Sequence, residues 1–475
     1  MFLESKRRDK TSRHLALLTA VAVSCAMLCT VEQPTAHAQQ NTTLQLPEFG
    51  VAVDAIGVVQ VKAFPADDGR LRAQRLAAAR AALPADVRRP SPLRQVSLVR
   101  LQRAIAQRLE ANQTPNDTMR YLAGLQRLQY LFCYPEQGDI VIAGPAAGWM
   151  QDGSGRIVAT DTGAPVLHLD DLLVALRAFR RGRDDRMFIG CSIDPSPDGL
   201  ARLQDFQKNI PHSVPQSARR DVTRQILQGT RQALGMSQIR VFGISAKTHL
   251  AQVLVEADYR MKRIGIGLEP PPVKMTTFLG ALRSPRDGTL QRWWFQPEYD
   301  CLKMTRDRLA VEIIGQGVQL LAEDMAIGPG GKQLNPTARV SKASRLFATA
   351  FTRKYPQIAA ASPVYAQMRN GIDMLVAAAL LQHEDWYGRG GWTADTLYSE
   401  ASLPTETFAA PRQVACGVNA VWKGNRLLSP AGGVSLQPSL ALDPVRRQAD
   451  DNGTLQRTAE QVAGQRADDD RWWWD

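Results

Sequence analysis

The densest run of chemically capable residues lies between Val241 and Lys262. Val241-Phe242-Gly243-Ile244-Ser245-Ala246-Lys247-Thr248-His249 leads into a helical pattern carrying Glu256, Asp258, Tyr259, Arg260 and Lys262. At about 100° per residue, Leu250, Val253, Leu254, Ala257 and Met261 form the face to be buried, while His249, Glu256 and Arg260 share a stripe at its edge. An edge stripe beside a strand end is where α/β units place ligand groups. An imidazole there can give or take a proton near neutral pH, and Glu256 can help orient it. Seven helical positions separate the two, roughly 10 Å along the axis. They cannot touch directly. The competing structural reading pairs Glu256 with Arg260 and Asp258 with Lys262 as i, i+4 bridges and leaves His249 satisfied by backbone at the helix start.

Other motifs fail on inspection. Gly328-Pro329-Gly330-Gly331-Lys332 resembles a phosphate loop, but Ala326 stands where the first glycine is needed and Gln333 replaces the Ser or Thr. Gly265-Ile266-Gly267 runs into prolines, not a helix, so it is no dinucleotide fingerprint. His383-Glu384 lacks the second histidine of a zinc peptidase. Gly243-Ile244-Ser245-Ala246-Lys247 ends in lysine and is no nucleophile elbow. Trp293-Trp294-Phe295 has aromatics for sugar stacking, but alternate strand residues face opposite sides, which commits one tryptophan to the core. No cofactor and no metal site is expected.

The elements that must hold these residues read as an α+β fold. Val51 to Lys62 reads as a hairpin, and arginine-rich helices follow, including Ser97 to Glu110 and one from about Pro115 to Leu128. Tyr130 to Tyr134 and Asp139 to Ala143 are strands about a turn; His168 to Arg181 is helical, Met187 to Ile193 a buried strand, and Ser196-Pro197 caps another helix. A strand-helix-strand unit is expected over Gln238 to Ile244, Thr248 to Lys262 and Arg263 to Leu268. Strands at Arg292 to Phe295, Cys301 to Met304, Leu309 to Ile314 and Val318 to Ala322 precede helices Ser341 to Lys354 and Val364 to Gln382, and short strands around Val414 to Val421 close the region. The organisation expected is a leader at 1–38, a hairpin with arginine-rich helices at 39–145, a central α/β region at 146–285, an α+β region at 286–430 and a disordered acidic tail at 431–475.

The leader has basic Lys6, Arg7, Arg8, Lys10 and Arg13, then apolar Leu15 to Val31, then Ala36-His37-Ala38. That order is a secretory signal with cleavage after Ala38. No later stretch reaches the ~18 apolar residues of a membrane span, so the expectation is a soluble protein, exported to the periplasm or outside the cell. The net charge of +12 is uneven, with twelve arginines against three acidic residues between Arg70 and Arg127. On the helix Ser97 to Glu110, Leu98, Leu101, Ile105 and Leu109 share one side and Arg100 and Arg103 the other. This cationic back is either a solvated face or a contact for anionic envelope lipid or polymer. Nucleic acid is not expected, since no stacking aromatics accompany the arginines. Cys133, Cys191, Cys301 and Cys416 remain after cleavage, enough for two disulfides, with all three connectivities open. Trp472-Trp473-Trp474-Asp475 ends a polar stretch, and exposed aromatics look for a partner surface, here a protein partner for the tail.

Thr248-His249 with Val253-Leu254-Val255-Glu256-Ala257-Asp258-Tyr259-Arg260-Met261-Lys262, then Ile264-Gly265-Ile266-Gly267-Leu268-Glu269-Pro270, Arg292-Trp293-Trp294-Phe295, Gly315-Gln316-Gly317 and Ser362-Pro363-Val364-Tyr365-Ala366-Gln367 resemble an exported planctomycete family catalogued as domain of unknown function 1598. The resemblance spans roughly residues 45–425. It implies export and a shared α+β fold, and carries no catalytic residue, ligand or partner.

Two functions compete on this reading. The thin supply of histidines and the failed motifs favour a non-catalytic binding or structural component of the bacterial cell envelope. The alternative is an envelope hydrolase with its site around His249, Glu256 and Arg260. Convergence of His249, Glu256 and strand-end backbone on one open pocket with a perturbed titrating group separates the second from the first.

Overall fold

A computed structural model of the protein describes residues 48–64, 69–182, 187–210, 215–282, 290–327, 333–336, 340–421, 426–465 and 471–475. The leader 1–38 and the loop 328–332 lie outside the described residues. The fold is α+β, and residues 48–475 form one unit. Its helices of more than two turns are α1 (Gly69–Ala82), α2 (Leu98–Glu110), α3 (Leu169–Ala178), α4 (Pro197–Lys208), α5 (Arg219–Leu234), α6 (His249–Gly265), α7 (Lys342–Ala361), α8 (Pro363–His383) and α9 (Thr454–Gly464).

The larger sheet joins, edge to edge, Glu48–Val53, Val58–Phe64, Gln413–Ala415, Met236–Phe242, Ile189–Pro195, Ala431–Leu436, Leu290–Pro297, Val318–Ile327 and Gln333–Pro336. The smaller joins Gln448–Ala449, Leu302–Met304, Ala310–Ile313, Tyr130–Tyr134, Asp139–Ala146, Ser91–Ser97 and Trp473–Trp474. Neighbours are antiparallel except Val58–Phe64 with Gln413–Ala415, Leu290–Pro297 with Ala431–Leu436, and Leu302–Met304 with Gln448–Ala449. Each sheet therefore draws strands from the stretches 39–145 and 286–430 and from the tail, and these interleave.

Local chemistry sets most helix starts. Ser97, Ser196, Thr248 and Ser341 each accept a backbone N–H from the first turn of α2, α4, α6 and α7, satisfying donors that a helix leaves unpaired. Pro197 and Pro363 occupy first-turn positions, where the missing N–H costs nothing. α8 is buried almost along its whole length and packs on α3, α6 and α7. It approaches α6 closely because Gly371 faces Leu250, where a Cβ would stand 2.4 Å from Cδ1.

α6 is fastened to the larger sheet by a buried cation. Lys262 Nζ donates to Asp258 Oδ2 at 2.7 Å, to the Gly432 carbonyl at 2.9 Å and to the Ile193 carbonyl at 3.2 Å. All three ammonium protons are used on two neighbouring strands and its own helix. The i, i+4 bridges read from the sequence, Asp258 with Lys262 and Glu256 with Arg260, are both formed.

Several expectations are corrected. Arg263 to Leu268 is no strand: α6 continues to Gly265 and turns through Gly267 at φ +76, because Ile264 and Ile266 are buried in the core beneath it. The helix expected from Pro115 to Leu128 breaks into Asp117–Arg120 and a 3-10 turn, Leu122–Gly124. Gly124 lies so close to the Ala147 carbonyl that a Cβ would meet it at 2.0 Å, and Gln126 and Gln129 give their N–H groups to Pro145 and Ala143 instead of to a helix. α7 runs through Pro356 to Ala361, its later turns held by Phe351, Tyr355 and Ile358 in an aromatic core with Phe295 and Tyr365. No disulfide joins Cys133, Cys191, Cys301 and Cys416; each is a free, buried thiol that fills core space on or beside a different strand. Burial pushes Cys133 up to about 11 and Cys301 up to about 12.

The tail expected to be disordered is largely structured. Ala431–Leu436 is an interior strand of the larger sheet, α9 covers the smaller one with Leu455, Ala459 and Val462, and Trp473–Trp474 pairs with Ser91–Ser97. The tryptophans find their partner within the chain. Arg94, fully buried, lies 4.7 Å from the Trp473 ring, donates to Asp475 at 2.7 and 3.0 Å, and donates to the carbonyls of Val87, Ala123 and Arg89. This clasp also takes Arg100 out of the solvent. Its side chain donates to the Arg471 carbonyl at 3.1 Å and sits over Trp474, so of the two expected surface contacts only Arg103 is exposed.

Candidate functional site

α3 and α6 bring their first turns together. Thr248 caps α6 and sets His249 as its first residue, while His168 precedes α3 and Asp171 sits in its first turn. Across this junction Asp171 accepts from His249 Nδ1, at 2.9 Å to Oδ2 and 3.1 Å to Oδ1. The Leu250 N–H also reaches Asp171. With Nδ1 bound to a carboxylate, His249 Nε2 is the free nitrogen. It has no protein partner among the described residues and is not sealed from solvent, so it opens onto the cleft that His249 lines.

The imidazole of His168 stacks on that of His249, with centroids 4.7 Å apart and planes within 5°. Tyr121 meets His168 edge-on at 5.5 Å. His168 Nε2 is buried without a hydrogen-bond partner. Burial, then the neighbouring His249, pull the His168 pKa down to about 4, against Asp171. For His249 burial also acts downward, but the charge and hydrogen bond of Asp171 outweigh it and raise the pKa above 6.5. Asp171 is held below its usual value: burial pushes it up, and the His249 charge and hydrogen bond more than reverse that. Asp170 is raised by burial and by Asp171 and Glu406, against the Glu406 N–H that donates to it at 2.9 Å.

The cleft has a volume of about 960 Å³. Its floor holds a second charged unit, Arg156 with Glu256. Arg156 comes from the tight turn between the short strands Trp149–Gln151 and Ile157–Ala159, where Asp152 Oδ1 accepts from the Ser154 N–H, the Ser154 hydroxyl and the Arg156 N–H, and Gly155 takes φ +89. Its guanidinium donates to Glu256 Oε1 at 2.5 Å, Gln367 Oε1 at 3.0 Å and Ser154 Oγ at 3.0 Å. Behind it the charges continue inward from Glu256 to Arg260 and on to Glu269.

His249 and Glu256 therefore share one open cleft, as the enzyme reading requires, without bonding each other. Arg260 belongs to the buried network behind it. Residues of other strands, Gly50–Val53 among them, line the cleft, and the strand end before His249 does not. The sequence reading missed His168, Asp171 and Arg156. The one signal on offer was that two of the four histidines beyond residue 38 each stand at the start of a helical pattern. Among the described residues no group of three or more His, Cys, Asp or Glu side chains is placed to hold a metal ion, and no helix is long and apolar enough to cross a membrane.

Residues 191–278 match the model of a family described as protein of unknown function (DUF1598). The match supports the resemblance over α4, α5 and α6 and includes His249 and Glu256. His168, Asp171 and Arg156 precede it, and the segments at 292–295, 315–317 and 362–367 follow it. No curated protein and no solved structure matches the chain.

Proposed function

We propose that the cleft is the active site of a hydrolase in which His249 is the general base and acid. The observation that carries this reading is the Asp171–His249 pair, opening by Nε2 into a large cleft beside a second imidazole kept neutral. In the reaction Nε2 takes a proton from water as its oxygen bonds to the electrophilic centre, and returns it to the leaving group as the old bond breaks. Asp171 fixes the ring and stabilises its charged form, as a carboxylate does in any such pair. Export to the cell envelope, periplasmic or extracellular, belongs to the same proposal and rests on the order of residues in 1–38. The test is turnover of chromogenic ester, amide and glycoside panels by the purified protein. At least one class should be cleaved and lose about 10²-fold or more in rate in His249→Ala, the range for removing a general base. Absence of turnover, or full rate in the variant, would sink it.

Two observations favour the second reading, a non-catalytic binding component of the envelope. Arg156 and Glu256 satisfy each other, and no described hydroxyl is bonded to His249 as a nucleophile. Contact with anionic envelope lipid or polymer then falls to the exposed Arg70, Arg72, Arg80 and Arg103, and should weaken as salt rises.

A further inference from the structure

One wall of the cleft is the outer edge of the larger sheet. Gly50, Val51, Ala52 and Val53, four successive residues of its edge strand, all line the cavity. Successive strand side chains point to opposite faces. Four in a row, from both faces, therefore place the backbone edge of this strand, and not one face alone, at the cleft. Pairing with Val58–Phe64 uses one side of that backbone, and among the described residues no strand pairs with the other. Such an edge offers N–H and C=O groups repeating every two residues, about 7 Å.

The lining also includes the irregular segment Ser402–Glu406, Phe408 and Ala409. This segment is clamped to the starts of α3 and α6. The Phe408 N–H donates to the Lys247 carbonyl at 2.8 Å, the Glu406 N–H donates to Asp170, and Gln252 donates to the Ala409 carbonyl at 2.9 Å. His249, which also lines the cleft, lies 6.1 Å from the Phe408 ring. The charges facing the cleft are Arg120 and Arg156 against Asp170, Glu256 and Glu406, so no positive excess selects a polyanion.

We propose that the cleft takes an extended polypeptide segment, which adds as a strand beside Gly50–Val53 and passes the Nε2 of His249. This names the substrate class of the acid–base site and rests on that reading for what happens to the segment. A peptide backbone matches the edge in spacing and in alternation of donor and acceptor, as in other cases of strand addition. A glycan carries any amides as pendant groups on its sugars, not as donors and acceptors alternating along an extended backbone.

The experiment is fluorescence anisotropy of the full chain with a pool of labelled random dodecapeptides, the same pool N-methylated at alternate residues, and labelled chitohexaose. The plain pool should bind, N-methylation should weaken binding at least tenfold, and the sugar should not bind. Equal binding of the two pools, or binding of the sugar alone, overturns the inference. Along a strand N–H groups alternate in direction, so of Val51→Pro and Ala52→Pro one removes a donor facing the cleft. The two variants, checked for folding by thermal melts, should differ at least tenfold in peptide affinity; equal affinity overturns the inference. A dimer of the full chain that either variant dissociates would give the edge to a second copy and also overturn it. Peptide binding without turnover of any substrate supports this inference and removes the acid–base reading. Ester or glycoside turnover without peptide binding does the reverse.

Discussion

The rings of His168 and His249 lie face to face, 4.7 Å between centroids, and only one of them has a carboxylate at its back. Two imidazolium charges at that separation would repel by about 3.5 kcal/mol at an effective dielectric of 20. The pair therefore carries at most one positive charge, and Asp171 assigns it to His249. His168 supplies a flat, uncharged neighbour that restricts how the His249 ring can turn.

Separate titrations follow for the two rings. His168 should stay neutral down to about pH 4, while His249 should lose its proton only above 6.5. The signs for stability are opposite. The raised His249 pKa stabilises the fold below 6.5, and that contribution is lost as pH rises through the folded value. The lowered His168 pKa means that stability falls as pH drops from 6.5 towards about 4, because the unfolded chain takes up that proton first. Histidine ring NMR across this range checks it; a His168 midpoint near 6.5 would refute the assignment.

Asp171→Asn should leave the cleft in place but lower the His249 pKa, since the charge that outweighs burial is gone. Hydrolysis limited by the basic form of His249 should rise with pH through its raised pKa in the unaltered protein. In the variant that rise should move to lower pH and the plateau should fall by about 10²-fold or more. A pH–rate profile of the variant that overlays the original would show that Asp171 neither orients nor charges the ring.

Much of the scaffold was readable because its signals are local. Ser196 and Thr248 mark helix starts by their own hydrogen-bonding chemistry, Pro363 marks one by needing no N–H, and the stripe through Met368, Ile372, Leu375 and Ala379 marks α8 as core. The dyad was not readable in the same way. Asp171 and His249 are 78 positions apart, and nothing in a single sequence says that the first turns of α3 and α6 meet. The tail misled for a related reason. Its composition is polar, yet Leu455, Ala459 and Val462 suffice to seat α9 on a sheet that already exists. Arg100 was placed on a solvated back because helix periodicity gives two faces, whereas tertiary packing covers a third side with Trp474 and the Arg471 carbonyl.

The clasp around Arg94 should contribute to stability unequally. Trp473→Ala removes a buried ring that packs between two arginines and should cost about 3 kcal/mol, within the range for large aromatics cut to alanine. Asp475→Ala should cost less, about 1 kcal/mol, because its side chain is 39% exposed and water screens its half of the pair. Urea unfolding of both variants gives the comparison. Equal losses would mean that the ion pair, not the aromatic stack, fastens this strand.

Lys262 makes the strongest demand on the fold, since it holds a buried charge against Asp258 and two strand carbonyls. Burial outweighs the Lys262 charge and raises the Asp258 pKa to about 6. A carboxyl whose folded pKa exceeds its unfolded value favours the folded state more as pH falls from about 6 towards 3.8. Lys262→Met should destabilise the protein by about 3 to 5 kcal/mol at neutral pH, because Asp258, at zero exposure to solvent, loses its pair and must either stay charged or take up a proton against the pH. The loss should shrink as pH falls and Asp258 takes a proton. Adding Asp258→Leu should recover part of it by replacing the stranded carboxylate with apolar volume. A double-mutant cycle that came out additive at neutral pH would show that the two charges do not depend on each other, and that the attachment of α6 to the larger sheet lies elsewhere.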